Sequence, residues 1–74
     1  MNKSMKSKTK MVDDWNVQFP VGTEVGVRMD NGEVRDTTTR SAAWMLGGHT
    51  PVIMLEGIAG GYLLDLVRAV DHFE

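Results

Sequence analysis

The chain has 74 residues, with eight basic and ten acidic side chains, no cysteine and 42% hydrophobic residues. This length allows a single domain, and the composition is that of an ordinary globular protein. No apolar run approaches the roughly 20 residues that span a bilayer, and the N-terminus lacks the apolar segment of a secretory signal peptide. Since the absence of cysteine excludes disulfides and thiolate metal sites, we expect a cytoplasmic protein without membrane association.

Charge is distributed unevenly along the chain. Residues 1–11 contain four lysines and no acidic residue, a net charge of +4, whereas residues 12–74 contain four arginines and all ten acidic residues, a net charge of −6. Because residues 1–11 also show no apolar periodicity, they are predicted to be a disordered basic tail, and residues 12–74 a single small domain. The acidic domain argues against a nucleic-acid-binding surface, which normally carries positive charge.

The first predicted strands form a hairpin. Val25, Val27 and Met29 alternate with polar or small residues, which is the period of a half-buried strand. The dipeptide Asn31-Gly32 follows, and it tolerates the positive φ angles of a tight hairpin turn. Residues 34–40 are the predicted return strand, since β-branched threonines pack well on a pleated surface.

The remaining segments predict further short strands. Residues 41–46 are either a third strand or one helical turn, and we favour the strand because six residues are too few for a stable helix. Residues 52–55 are apolar on both parities, as in a strand buried on both faces, and the glycines within 57–61 predict a corner. Strands at 62–64 and 68–70 follow, so that the sequence predicts an all-β fold, a small five-stranded barrel.

Two resemblances accompany this prediction. The order of two hairpins and a one-turn helix before the last strand resembles an SH3-like barrel. The segments TRSAAWMLG at 39–47 and EGIAGGYL at 56–63 resemble the TRSxAW…LG…PVVxVEGxxGGxxL pattern of small uncharacterised proteins from phages and integrated elements. That resemblance implies a mobile-element setting and no particular activity, and a barrel of this type hosts many functions.

Residues for catalysis or metal binding are not found in a suitable arrangement. His49 and His72 have no partner at metal-ligand spacing, and the pair Asp13 and Asp14 supplies too few oxygens for calcium. The glycines at 57–61 lack the Lys-Ser/Thr of a phosphate-binding loop and precede no predicted helix. We therefore expect a protein that is not an enzyme and that needs no cofactor or metal.

Aromatic and arginine side chains are the candidates for binding. Trp44 lies either in the core or on the surface; an exposed Trp44 next to Arg40 would form a binding hot spot, since tryptophan and arginine dominate such sites. Arg28 and Arg35 are predicted to share a sheet face with Arg40 as a basic stripe, and ordinary cross-strand pairing with acidic residues is the alternative.

The first functional hypothesis is stoichiometric binding to a host protein of the mobile element, such as inhibition of a CRISPR–Cas defence protein. An acidic surface can occupy a cleft built for nucleic acid, because the same basic field attracts either ligand. The predicted partner-binding residues are Asp13, Asp14, Asp30, Glu33, Asp36, Arg40, Trp44 and Asp65.

The alternative hypotheses belong to other classes. One is a barrel that binds single-stranded nucleic acid, with Trp44 and Tyr62 as stacking platforms and the arginine stripe on phosphates; the acidic domain makes it the less favoured one. Another is a structural or oligomerisation module. Because a small barrel rarely closes fully and leaves an unpaired strand edge, a homodimer is also expected.

Overall fold

The computed structural model describes residues 5–70. In this part of the chain there are one α-helix, six β-strands and one short 3₁₀ helix, Leu64–Leu66. The helix and strands are α1 (Met5–Gln18), β1 (Glu24–Arg28), β2 (Val34–Thr38), β3 (Trp44–Leu46), β4 (Thr50–Leu55), β5 (Ile58–Leu63) and β6 (Val67–Ala69).

The strands form two three-stranded antiparallel sheets. The first sheet has the order β2-β1-β6 and the second the order β3-β4-β5, with a single bridge between Thr39 and Leu55. The predicted all-β, five-stranded SH3-like barrel is therefore wrong, because residues 5–70 contain six strands, no closed barrel and a 14-residue helix. The chain leaves the first sheet after Thr38 and enters the second at Trp44. The strands therefore do not form the single continuous sheet that a barrel requires.

Predictions of individual turns and short elements agree better with the structure than the predicted overall fold does. The hairpin at Asn31-Gly32 is confirmed: Gly32 has a φ of 88°, and the Met29 amide donates to the Glu33 carbonyl at 2.8 Å. Within residues 41–46, the last three form strand β3 and no helical turn occurs. Leucine at position 64 begins the 3₁₀ helix that precedes the last strand.

Helix α1 corrects the predicted disordered tail. Residues 5–11 are helical, while residues 1–4 lie outside the described part. Three large apolar residues recur at every fourth position, Met11, Trp15 and Phe19, and this spacing places them on one side of a helix. Val12 of the same helix is buried in the core. Lys8 and Lys10, two of the lysines that suggest disorder, are exposed on α1, where charge is compatible with a folded helix.

The hydrophobic core lies between α1 and the inner faces of the two sheets. Strands β1 and β4 supply its four most buried side chains, all at 0% exposure, which are Val25, Val27, Ile53 and Leu55. Their inward positions follow from the alternation along β1 and from the doubly apolar run in β4. Val12, Ala43, Leu64 and Val67 complete the cluster.

Two side chains connect elements that are distant in sequence. The Asn16 amide of α1 donates through Nδ2 to the Ala43 carbonyl at 3.0 Å, and its Oδ1 accepts from the Ala43 amide at 2.8 Å. The Tyr62 hydroxyl donates to the Arg28 carbonyl at 2.7 Å and joins the second sheet to the first. Both contacts satisfy backbone groups that no neighbouring strand reaches.

Candidate protein-binding face

The six acidic residues predicted to contact a partner are all exposed, but they are distributed over separate elements. Helix α1 carries Asp13 and Asp14, the β1–β2 turn Asp30 and Glu33, strand β2 Asp36, and the 3₁₀ helix Asp65. Asp14 also forms an exposed ion pair with Lys10 at 3.2 Å. Since α1 packs against β3 and β4 of the second sheet, the predicted acidic surface is not one continuous patch on one element.

A shallow hollow on the outer face of the first sheet brings two of these acids together. Asp36 and Asp65 line it, together with Arg28 and Arg68, and Gly26 forms its floor. The hollow exists because glycine leaves the middle of β1 without a side chain; a Cβ at Gly26 would lie 3.2 Å from a Val34 methyl. Two carboxylates and two guanidinium groups line the hollow, so the local charge is balanced and not acidic.

The predicted basic stripe is not formed. Arg28 faces Val34 in the register of β1 and β2, so Arg35, the next residue, points to the opposite side of the sheet. Arg40 is engaged within the fold, where its Nε donates to the Leu55 carbonyl at 3.1 Å and its Nη2 to the Ile58 carbonyl at 3.5 Å. Arg40 therefore holds the β4–β5 turn and is not a free hot-spot side chain.

Trp44 and Tyr62 lie on opposite faces of the second sheet. Trp44 is opposite Val52 on β4, whereas Tyr62 is opposite Ile53, the next residue along the same strand. Tyr62 packs against the core, and its hydroxyl is bonded to the first sheet. The two rings therefore cannot stack bases together, as the nucleic-acid hypothesis requires.

The outer face of the second sheet is apolar and free of charge. Directly opposed residues of antiparallel strands share a face, and the register places seven residues outward: Trp44, Leu46, Thr50, Val52, Met54, Gly61 and Leu63. Trp44 is 37% exposed, Leu46 52% and Leu63 47%. We call this set of seven residues the apolar face. Exposed apolar side chains gathered on one face are typical of interaction sites, whereas scattered ones are ordinary.

The Trp44 ring lies beside a glycine of the neighbouring hairpin. A Cβ built at Gly61 would lie 3.3 Å from the Val52 Cβ and 3.5 Å from Cη2 of Trp44, so the indole lies alongside Gly61 and against Val52. Val52 is only 2% exposed although it does not belong to the core cluster. Its burial on the outer side of the sheet indicates that Trp44 and its neighbours cover it. The indole is thus held in place while part of it remains open to solvent.

The two sequence segments that resemble the mobile-element pattern meet in space. Arg40 of the first segment donates through Nη2 to the Ile58 carbonyl of the second at 3.5 Å. The Trp44 ring of the first segment lies beside Gly61 of the second. The contacts of Arg40 are therefore explained by the fold, whereas Trp44, Leu46 and Leu63 are large apolar side chains of the two segments that remain substantially exposed.

Groups for metal chemistry are not assembled within residues 5–70, where no three potential ligands from His, Asp and Glu cluster. His49 lies in the β3–β4 turn beside Thr50 Oγ1, at 3.3 Å, and His72 lies outside the described residues. The single α-helix of the described range is too short and too polar to cross a membrane.

Sequence signal for this face was present but incomplete. The sequence indicates Trp44 as a candidate and leaves open whether it lies in the core or on the surface. The structure places it on the surface with Val52 beneath it. Leu46 and Leu63 were missed, because their outward direction depends on the register of β3, β4 and β5.

Comparison with known proteins adds no assignment: no protein-family model matches the chain, and no curated protein or solved structure matches it.

Proposed function

We propose that this protein is a non-enzymatic binding module that engages a protein partner through its apolar face. The observation that carries the proposal is the exposure of Trp44, Leu46 and Leu63 on one sheet face without a charged side chain. Burial of tryptophan in a partner's pocket is among the largest single contributions at interfaces. The mobile-element resemblance makes a host protein the proposed partner, with inhibition of a defence protein as one form of the activity.

The rigidity of the face supports this role. Trp44 rests against Val52 and Gly61, so its ring is already ordered before a partner arrives. Preordered side chains lose less conformational entropy on binding than mobile ones. The exposed fractions of the three large side chains correspond to roughly 300 Å² of apolar surface, less than the roughly 800 Å² that one partner buries in a standard interface. We therefore propose that polar residues around the face form the rim of the interface.

A photo-crosslinking experiment in bacterial cells tests this proposal. A benzophenone amino acid replaces Leu46 on the apolar face or, as the matched control, Val34 on the outer face of the first sheet; these side chains are 52% and 67% exposed. We expect one discrete protein adduct from position 46 that survives nuclease treatment and is absent from position 34. Equal adducts from both positions, or adducts that disappear with nuclease, would contradict the proposal.

Two variants of the chain then separate the apolar contact from the acidic one. With the crosslinked protein purified, we expect Leu46→Asp to weaken binding at least tenfold, since a carboxylate would be buried without a partner. Joint replacement of Asp30, Glu33 and Asp36 by lysine reverses the charge of the β1–β2 hairpin and is expected to change mainly the association rate. If the lysine variant abolished binding and Leu46→Asp did not, the acidic surface would be the binding site.

A further inference from the structure

We infer that the partner adds an extended segment to the open edge of β5, as one more strand of the second sheet. The inference rests on the proposed function, because it describes how a partner on the apolar face is held. Strand β5 ends the order β3-β4-β5, and its residues 59–61 and 63 are exposed. The edge of a sheet presents main-chain donors and acceptors that a strand of another protein can pair.

The hydrogen bonds of β4 establish which backbone groups of β5 are free. The Met54 carbonyl accepts from the Arg40 amide at 2.9 Å, and the Met54 amide donates to Ser41 Oγ at 3.2 Å. Both groups of Met54 thus point away from β5. Opposed residues of an antiparallel pair either bond to each other or both point away, so the N–H and C=O of Gly61, which is opposite Met54, point to the open edge. The same alternation directs the Leu63 amide outward, while its carbonyl belongs to the first turn of the 3₁₀ helix.

The missing side chain at Gly61 also makes the indole of Trp44 reachable from this edge. A Cβ at Gly61 would lie 3.5 Å from Cη2 of the indole. Directly opposed residues share a face of the sheet, so the residue of an added strand opposite Gly61 projects its side chain onto the apolar face, beside the indole. Aromatic side chains compensate strand glycines by packing across them. We therefore expect the added segment to carry a large apolar residue at this position.

The other sheet edges in the described part of the chain are less suited to an added strand. Helix α1 flanks β3, where Asn16 bonds both backbone groups of Ala43 at 3.0 and 2.8 Å. Strand β2 contains two charged residues, and β6 has three residues, one of them arginine. Charge and short length discourage strand addition, whereas the sequence IAGGYL of β5 has neither charge nor proline. The register shift at the start of β5 confines regular pairing to its end, residues 61–63.

A proline substitution tests the main-chain contact. Leu63 has a φ of −62°, close to the angle that proline fixes, and its amide points away from β4. Leu63→Pro therefore removes one donor of the edge and keeps the fold. Leu63→Ala is the matched control, since it also lacks the leucine side chain but retains the donor. Urea unfolding should show Leu63→Pro to be at least as stable as Leu63→Ala; a clearly less stable proline variant would mean that the amide is bonded within the fold and would overturn the inference.

The binding probe is a set of peptides of about twelve residues, selected on the unmodified chain from a displayed random library. We expect these peptides to bind Leu63→Pro at least about tenfold more weakly than Leu63→Ala, because a donor is lost and a peptide carbonyl is left unpaired. With the best peptide at saturation, amide hydrogen exchange at Gly61 and Leu63 of the unmodified chain should slow at least about tenfold. Exchange at Asp36, on the edge strand β2, should not change.

Three results would show that no strand is added here: equal affinities of the two variants, unchanged exchange at Gly61 and Leu63, or a library without binders. A second copy on this edge, seen as a mass above 8.2 kDa for Leu63→Ala but not for Leu63→Pro, would also overturn the inference. The crosslinking test of the proposed function is independent of these results. An adduct from position 46 together with equal affinities of the two variants would retain the apolar face as the binding site and exclude the added strand.

Discussion

The contact between Asn16 and Ala43 offers the sharpest test of helix α1. One side-chain amide satisfies both backbone groups of Ala43, at 3.0 and 2.8 Å, and Ala43 itself is 5% exposed. Replacing Asn16 by alanine removes both hydrogen bonds and leaves the two backbone groups with poor access to water. We expect the variant to be clearly less stable, although alanine is the better helix former.

The magnitude follows from the terms involved. Each neutral hydrogen bond contributes about 1 kcal/mol, with more lost when the remaining group stays unpaired in the interior. The higher helix propensity of alanine offsets about 0.6 kcal/mol of this loss in the free energy of unfolding. The free energy of unfolding should therefore fall by about 2 kcal/mol. For a domain of this size, with a urea m-value of about 1 kcal/mol/M, the midpoint moves down by roughly 2 M.

Urea unfolding followed by far-UV circular dichroism measures this change. Val17→Ala is the matched control, because Val17 is the next residue of the same helix and is 86% exposed. The control should be unchanged or slightly stabilised, by up to about 0.6 kcal/mol. If Asn16→Ala and Val17→Ala unfolded at the same urea concentration, α1 would not be docked on Ala43 and the reasoning would be refuted.

Three further substitutions address other contacts within the fold. Gly61→Ala should destabilise the chain by about 1–3 kcal/mol, because the new methyl group would lie only 3.3 Å from Val52, and it should alter tryptophan fluorescence, since the same methyl group would contact the Trp44 ring. Thr39→Val keeps the shape of a buried side chain but removes the Oγ1 that accepts from the amides at 22 and 23; thermal unfolding should show a loss of about 1 kcal/mol. Arg40→Met should speed amide hydrogen exchange in the β4–β5 turn several-fold with little change in the β1–β2 hairpin, since the bonds to Leu55 and Ile58 are lost.

Local patterns in the sequence predicted local structure well. The alternation of Val25 and Val27 and the turn at Asn31-Gly32 involve neighbours in the chain, and both predictions are confirmed. The arrangement of the strands into two sheets was not predictable in the same way. It depends on where the chain leaves the first sheet. Alternation of apolar and polar residues does not mark that point within residues 39–43.

Helix α1 was missed for a different reason. Four lysines among residues 1–11 suggested a solvated tail, yet only one side of a docked helix needs to be apolar. The spacing of Met11, Trp15 and Phe19 contained the necessary information, and Trp15 and Phe19 indeed lie with their ring centroids 4.5 Å apart. For this segment, the periodicity of the apolar residues predicts the structure better than the amino-acid composition does.

The candidate site shows which functional residues can be identified from the sequence and which cannot. Trp44 could be selected from residue type alone, but the apolar face also needs Leu46 and Leu63, which come from the two strands on either side of β4. The residue type of Arg40 likewise suggests binding, and its hydrogen bonds connect it to the β4–β5 turn. Which side of a sheet a residue occupies follows from strand register, and register is set by tertiary contacts.

The central place of β1 in the first sheet has a consequence for how the molecule is made. Its hairpin partner β2 follows at once, but its other neighbour is β6, the last described strand, with Val27 opposite Val67. The bonds from Asn16 to Ala43 and from Tyr62 to Arg28 likewise span 27 and 34 residues. Chains dominated by such distant contacts refold on the order of milliseconds to seconds. During synthesis, the first sheet stays incomplete until β6 has left the ribosome, so the native fold forms only after all strands up to β6 have been translated.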